Sequence, residues 1–78
     1  MPNEPIWGLQ AAIASDMESI GRIDYATALM LAAAGIVKGE SLIDIVSQVL
    51  IATYRFANRI GLAADGAARQ HLKEQQRR

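Results

Sequence analysis

One stretch constrains the fold more than any other: the run from Tyr25 to Val37 carries no charged residue. Between Tyr25 and Lys38 only Thr27 is polar, and most of the rest is alanine and large aliphatic residues. Alanine and leucine favour helix. The run is shorter than the roughly 20 residues that a helix needs to cross a bilayer. It therefore predicts a helix that is apolar on all sides and is buried against other helices.

Glycines and helix-capping residues divide the first 61 residues into three helices. Each helical pattern is followed by a glycine that can serve as a C-terminal cap: Gly21, Gly39 and Gly61. Each pattern is preceded by a candidate N-cap: Asn3, Asp24 and Ser41. The predicted helices cover about residues 4–20, 25–38 and 42–60. The expected fold is all-α, a small three-helix bundle in which each helix has two neighbours.

The remaining segment, residues 62–78, differs in composition. Its large apolar side chains are Leu62 and Leu72, and Gly66 interrupts it. We therefore predict a weak or frayed C-terminal helix. The expected organisation is a helical bundle domain over residues 1–61, followed by a basic, partly helical tail over residues 62–78.

The apolar residues of helices 2 and 3 exceed what three helices can cover. Helix 3 has an apolar arc of about 200°, roughly twice what one neighbouring helix needs. Each large apolar side chain left in water forfeits about 1.5–3 kcal/mol, whereas a whole domain is stable by only about 5–15 kcal/mol. We therefore expect a homo-oligomer formed through helices 2 and 3, with a dimer as the expected form. The predicted interface residues are Leu31, Ile36, Ile43, Ile45, Val49, Leu50, Ala52 and Phe56.

Catalytic and metal-binding groups are sparse. The chain has no cysteine, and its one histidine, His71, lies in the polar tail. Asp16 and Glu18 fall about 200° apart on a helix, so they cannot share a proton or an ion. The glycines around Lys38 lack the spacing and preceding strand of a phosphate-binding loop. These observations predict a protein that is not an enzyme, with no metal and no cofactor.

The charges are separated along the chain. Up to Tyr54 there are six acids and two bases, and from Arg55 onward there are six bases and two acids. The N-terminal part of helix 3, the recognition position of a helix-turn-helix motif, is acidic and apolar, so DNA phosphates would repel it. Sequence-specific DNA binding is disfavoured, although the basic C-terminus leaves a nucleic-acid-associated regulator as an alternative.

Two further groups are candidates for binding. Arg55 and Arg59 share a helix face and repel each other unless an anion or carboxylates lie between them. They either pair with acids of a neighbouring helix or form an anion or nucleotide site at an oligomer interface, with Tyr54 available to stack. Trp7 lies off the apolar seam of helix 1, where it either folds over the bundle or anchors a partner.

The caps and seams identify no protein family. The N-terminus lacks a basic segment followed by an unbroken apolar core, so no secretory signal is expected and the cytoplasm is the expected location. The leading hypothesis is a non-enzymatic homo-oligomer that binds another protein as an adaptor or inhibitor and has no membrane partner. The alternatives are a protein that binds or sequesters a small anionic ligand, and the nucleic-acid-associated regulator.

Overall fold

The computed structural model describes residues 8–77, which form four α-helices: α1 (Gly8–Asp16), α2 (Arg22–Lys38), α3 (Leu42–Ile60) and α4 (Ala64–Gln76). The all-helical class is confirmed. The principal packed pairs all include α3, against which α1, α2 and α4 lie. The radius of gyration is 14.2 Å, compared with about 11.5 Å for a compact domain of this length. The helices thus surround a central α3 instead of forming the predicted bundle in which each helix has two neighbours.

α2 and α3 form an antiparallel hairpin. Gly39 ends α2 in the left-handed region with φ of 85°, and its N–H donates to the carbonyl groups near the helix end. Ser41 caps α3 through its hydroxyl, which accepts a hydrogen bond of 3.5 Å from the Asp44 N–H. These predicted caps, and the bounds of α3, are confirmed. Such local signals fix where the hairpin turns.

The two helices of the hairpin approach closely at one point. Gly35 is buried, and a Cβ atom added there would lie 3.2 Å from Ile45 Cδ1. At the other end of the hairpin, the rings of Tyr25 and Phe56 stack with centroids 4.7 Å apart. The Tyr25 hydroxyl also hydrogen-bonds the Thr53 hydroxyl at 2.7 Å. Small residues on α2 therefore bring the two helix backbones together.

The prediction for helix 1 was wrong at its C-terminal end. α1 ends at Asp16, not at residue 20, and residues 18–20 run without regular structure. The segment leaves the helix because α3 satisfies its backbone: Arg55 Nε donates to the Glu18 carbonyl at 2.8 Å, and the Ile20 N–H donates to the Arg55 carbonyl at 3.4 Å. The predicted start near residue 4, with Asn3 as cap, lies outside the described residues.

The start of helix 2 also differs from the prediction. α2 begins at Arg22, so Asp24 lies within its first turn, where a carboxylate favours the helix dipole, and does not cap it. Gly21 occupies the N-cap position with φ of −86° and ψ of −179°. It is extended backbone, not the left-handed C-cap predicted for helix 1. Gly61, in contrast, ends α3 with φ of 72°, as predicted.

The C-terminal tail forms a continuous helix, although little of it is buried. α4 runs from Ala64 to Gln76 through Gly66. Ala64 is half-buried, and the rest of α4 is exposed. The segment predicted as weak or frayed is thus a formed helix that contacts α3 mainly at its first turn.

Few residues of the described chain are buried against one another. The buried apolar core consists of Ile13, Ile45, Ala52, Tyr54 and Ala57. Four of these five lie on α3. Most large aliphatic side chains of α2 and of the first half of α3 are instead exposed, so the exposed apolar surface is concentrated in that part of the molecule.

Candidate functional site

The side of α2 that faces away from α3 carries an exposed apolar stripe. It contains large side chains one heptad apart: Ile23 is 73 % exposed, Met30 is 71 % exposed and Val37 is 87 % exposed. Thr27 and Ala34 lie between them at the alternating spacing of four and three residues that coiled coils use. At 100° per residue the stripe is about 80° wide. We call these five residues the outer seam.

The outer seam lies opposite the face that packs on α3. The α2 residues that are buried or half-buried towards α3 recur at Tyr25, Ala28, Ala32 and Gly35. Their mean direction is about 160° around the helix from the outer seam. α2 therefore has two apolar faces on opposite sides, and its own chain covers one of them.

A second apolar surface lies between α2 and α3. It is a groove of about 370 Å³ lined by Ile36, Ile45, Val46, Val49, Leu50 and Thr53. Leu42 and Ile43, both exposed, lie one turn before Val46 on α3 and so are its neighbours on the helix surface. We call the six lining residues the apolar groove. A groove of this kind is the form in which helical proteins accept the apolar face of another helix.

The opposite end of α3 is built from polar contacts. The Gln10 side chain donates through Nε2 to Asn58 Oδ1 at 2.9 Å and to the Leu62 carbonyl at 2.7 Å. Its Oε1 accepts from the Ala64 N–H at 2.9 Å, which satisfies a free donor at the start of α4. A side chain of α1 thus caps α4 and holds α1, α3 and α4 together. We call this network the polar corner.

Tyr54 adds a second link between α3 and α4. Its hydroxyl donates to Asp65 Oδ1 at 2.6 Å, and its ring is buried. The hydrogen bond to the Asp65 carboxylate raises the pKa of Tyr54, with smaller contributions from burial and from the negative charge of Asp65. The Tyr54 hydroxyl therefore stays protonated near neutral pH, and it serves as a hydrogen-bond donor that links α3 to α4.

The structure divides the eight predicted interface residues into two groups. Leu31, Ile36, Ile43 and Leu50 are exposed and Val49 is half-buried, so their methyl groups are accessible. The other three are used within the chain. Ile45 and Ala52 are buried, and Phe56 stacks on Tyr25. These three lie on the side of α3 that α2 covers, and their assignment to an oligomer interface stays a prediction.

Of the proposed anion-binding residues, Arg55 and Arg59 share a face of α3, whereas Tyr54 lies on another side. Tyr54 points to Asp65, so its ring is not free to stack on a ligand. Arg55 donates to the Glu18 carbonyl. Arg59 is exposed on the last turn of α3. The Arg55 contact is thus with a backbone carbonyl, and the anion site at Arg55 and Arg59 stays a prediction.

Trp7 lies outside the described residues, so its predicted anchor role stays a prediction. His71 is exposed on α4. The residues that sequence reasoning missed are those of the outer seam, above all Ile23, Met30 and Val37. Their alternating spacing was a usable signal. It was overlooked because the whole helix was expected to be buried.

Within residues 8–77, no helix combines the length and apolar character that a membrane crossing requires. The same residues contain no group of three or more histidine, aspartate or glutamate side chains arranged to hold a metal ion. No known protein family, no curated protein and no solved structure matches the chain. Its function must therefore be argued from its surfaces.

Proposed function

We propose that the protein is a non-enzymatic, homo-oligomeric helical binding protein that acts as an adaptor or as an inhibitor of a partner protein. The observation that carries the proposal is the exposed apolar surface of α2 and the first half of α3. Binding energy comes mainly from burying such surface, and a folded chain that leaves it in water loses that contribution.

The amount of exposed surface supports the proposal. The chain exposes 6143 Å². A compact monomer of 8.4 kDa would expose about 4600 Å², so the excess is about 1500 Å². A standard protein interface buries about 800 Å² on each partner. The excess, part of which belongs to the exposed helix α4, is larger than the area that one such interface buries on each partner.

The shape of the surface supports binding of helices. The apolar groove runs between two antiparallel helices and offers Ile36 from α2 facing Val46 and Leu50 from α3. An amphipathic helix places side chains at intervals of three and four residues, which match such a groove. An adaptor or inhibitor that recognises a helix of its partner would use this surface.

The polar groups of the molecule support a role without catalysis. The side chains of Gln10 and Asn58 hydrogen-bond to each other, and Asn58 Nδ2 also donates to the Gln10 carbonyl. Gln10 bonds in addition to the backbone of Leu62 and Ala64 in the α3–α4 connection. Tyr54 is occupied by Asp65. These side chains position helices, and their hydrogen-bonding capacity is used for that purpose and not for contact with a substrate.

The proposal is tested by the mass of the purified chain in solution. Sedimentation equilibrium at micromolar to millimolar concentration should return a multiple of 8.4 kDa. Met30→Asp should lower that mass or raise the dissociation constant at least tenfold, because Met30 is 71 % exposed on the outer seam and a carboxylate there would be desolvated in an interface. Gln48→Asp, at an exposed polar position on α3 outside the outer seam, is the control. A mass of 8.4 kDa for the unmodified chain at every concentration would refute homo-oligomerisation.

A second candidate function follows from α4. Arg69 and Lys73 lie four residues apart on α4, and Arg77 is its C-cap residue four positions further on, so three exposed cations lie along one side. Such a row suits a nucleic-acid backbone. Substituting the three by alanine should abolish binding to DNA or RNA, and binding by the unmodified chain should weaken steeply with salt. Binding that is absent at 50 mM salt would reject this function.

A further inference from the structure

We propose that two copies of the chain pair through α2, with the two helices antiparallel, their outer seams in contact and Met30 at the two-fold axis. The inference rests on the proposed function, since it specifies how the homo-oligomer forms. It goes beyond that proposal because it separates the surface for self-association from the surface for a different partner.

The outer seam is symmetric about Met30. Ile23 lies seven residues before Met30 and Val37 seven residues after it. In an antiparallel pair centred on Met30, Ile23 of one copy therefore meets Val37 of the other. A two-fold interface requires this kind of self-complementarity, because every contact between two different residues occurs twice, once in each direction. The small side chain of Ala34 and the short Thr27 allow the helices to approach closely between those contacts.

The charges beside the outer seam favour the antiparallel direction. Asp24 and Lys38 are both exposed and lie on the same flank, about 60–100° from the centre of the seam. A two-fold axis perpendicular to antiparallel helices brings the same flanks together, so Asp24 of each copy lies beside Lys38 of the other. A parallel pair would instead place Lys38 about 21 Å along the helix from the other copy's Asp24.

The arrangement accounts for the composition of α2. One side of α2 already packs on α3. A second copy on the outer seam would cover the opposite side and give four helical layers in the order α3, α2, α2 and α3. The near absence of polar residues on α2 then has a physical reason, since both of its wide faces are buried. The apolar groove stays open in both copies for a helix of another protein.

The absence of cysteine from the sequence permits a direct test by introduced cysteines. Met30→Cys should form a disulfide-linked dimer rapidly in mild oxidant, because the two Cys side chains meet at the axis within disulfide range. Ile23→Cys alone should not link, since its own copy lies about 21 Å away. A mixture of the Ile23→Cys and Val37→Cys variants should yield linked dimers that contain one chain of each.

Ile43→Cys on α3 is the matched control, because Ile43 is also highly exposed but lies outside the outer seam. It should link much more slowly than Met30→Cys. Circular dichroism of each variant verifies that the helices are retained. Self-linking by Ile23→Cys would show a parallel pair and overturn the inference. So would equal rates for Ile43→Cys and Met30→Cys.

Failure of this inference can be distinguished from failure of the proposed function. If the unmodified chain sediments as a dimer while Met30→Cys fails to link, the homo-oligomer stands and the α2 interface is wrong. The outer seam would then be free for a different protein. If the unmodified chain is a monomer, both proposals are wrong.

The ion pair provides an independent test. Asp24→Lys and Lys38→Asp should each raise the dimer dissociation constant about tenfold, because each variant places like charges together at two symmetric positions. The double variant that carries both changes should restore the original value. Failure of the double variant to recover would overturn the pairing of Asp24 with Lys38.

Discussion

The two halves of α3 differ in how much of their surface the rest of the chain buries. The C-terminal half is covered by α1, by α2 and by the start of α4, and its contacts are specific: Gln10 with Asn58, Tyr54 with Asp65, and Arg55 with a backbone carbonyl. The N-terminal half packs on α2 alone and exposes Leu42, Ile43 and Val46. Other helices of the chain thus pack around the C-terminal half of α3, whereas the N-terminal half leaves apolar side chains exposed.

This difference separates folding from binding within one small protein. The polar corner and the core residues around it hold the helices in place without help from another molecule. The α2 side of the hairpin supplies surface that becomes useful only when something covers it. Substitutions at the first end should therefore change the free energy of unfolding, and substitutions of the exposed apolar side chains at the second should change association.

The sharpest test of the difference is one carboxylate introduced at each end. Ala57→Asp should destabilise the chain by about 4 kcal/mol or more, because Ala57 is buried and a carboxylate there has no partner. Val46→Asp should change unfolding by less than about 1 kcal/mol, since Val46 is 65 % exposed. Urea unfolding at a concentration below that of association measures both. Equal destabilisation would remove the distinction between the ends.

The close approach of α2 to α3 at Gly35 should have the next largest effect. Gly35→Leu should destabilise the chain by about 2 kcal/mol, because its side chain would collide with Ile45 and force the helices apart. The matched control is Ala33→Leu, at an exposed position on the same helix, which should have little effect. Thermal unfolding of both variants checks this. If Gly35→Leu left stability unchanged, the hairpin would not be held as tightly as described.

The polar corner should contribute less than the apolar contacts. Gln10→Ala should destabilise the chain by about 1–2 kcal/mol, because it removes bonds to Asn58, Leu62 and Ala64. Hydrogen exchange should accelerate at the start of α4 more than in α2. Gln48→Ala, on the exposed side of α3, is the control. Uniform acceleration over all helices would mean that Gln10 does not hold α4 specifically.

The link between Tyr54 and Asp65 should have the smallest effect and a distinctive pH dependence. Tyr54→Phe should cost about 1 kcal/mol at neutral pH. The raised pKa of Tyr54 means that folding favours the protonated phenol. Its contribution is present in full below pH of about 10 and is lost as the pH rises through the raised value. In Tyr54→Phe, the free energy of unfolding should therefore fall less as the pH rises above about 10. In Tyr25→Phe, the fall should be the same as in the unmodified chain. Urea unfolding over a series of pH values measures both.

Local sequence signals predicted the parts of the fold that depend on local chemistry. The bounds of α3, its Ser41 cap and the left-handed Gly39 and Gly61 are set by residues within one helical turn of each boundary. The end of α1 is different, because it depends on Arg55, which is 37 residues from Glu18 in the chain. No pattern around Asp16 contains that information.

Only part of the candidate surfaces could be predicted from the sequence, because the rest depends on contacts between residues that are distant in the chain. The excess of apolar residues on helices 2 and 3 was evident from composition and spacing. Their division between the chain's own core and its exposed faces depends on the direction from which α2 meets α3. That direction is set by the contacts of Gly35 with Ile45 and of Tyr25 with Phe56, which only the folded chain brings together. Hence Ile45 was assigned to the interface and Met30 was not.

The most direct test of the account is a nuclear Overhauser experiment on a mixture of isotope-labelled and unlabelled chain, filtered for contacts between molecules. Pairing through the outer seam predicts intermolecular signals at the methyl groups of Met30, Val37 and Ile23 and none at Ile13 or Ala57, which the chain itself buries. Intermolecular signals at Ile13 and Ala57, or none at any methyl group at millimolar concentration, would contradict it.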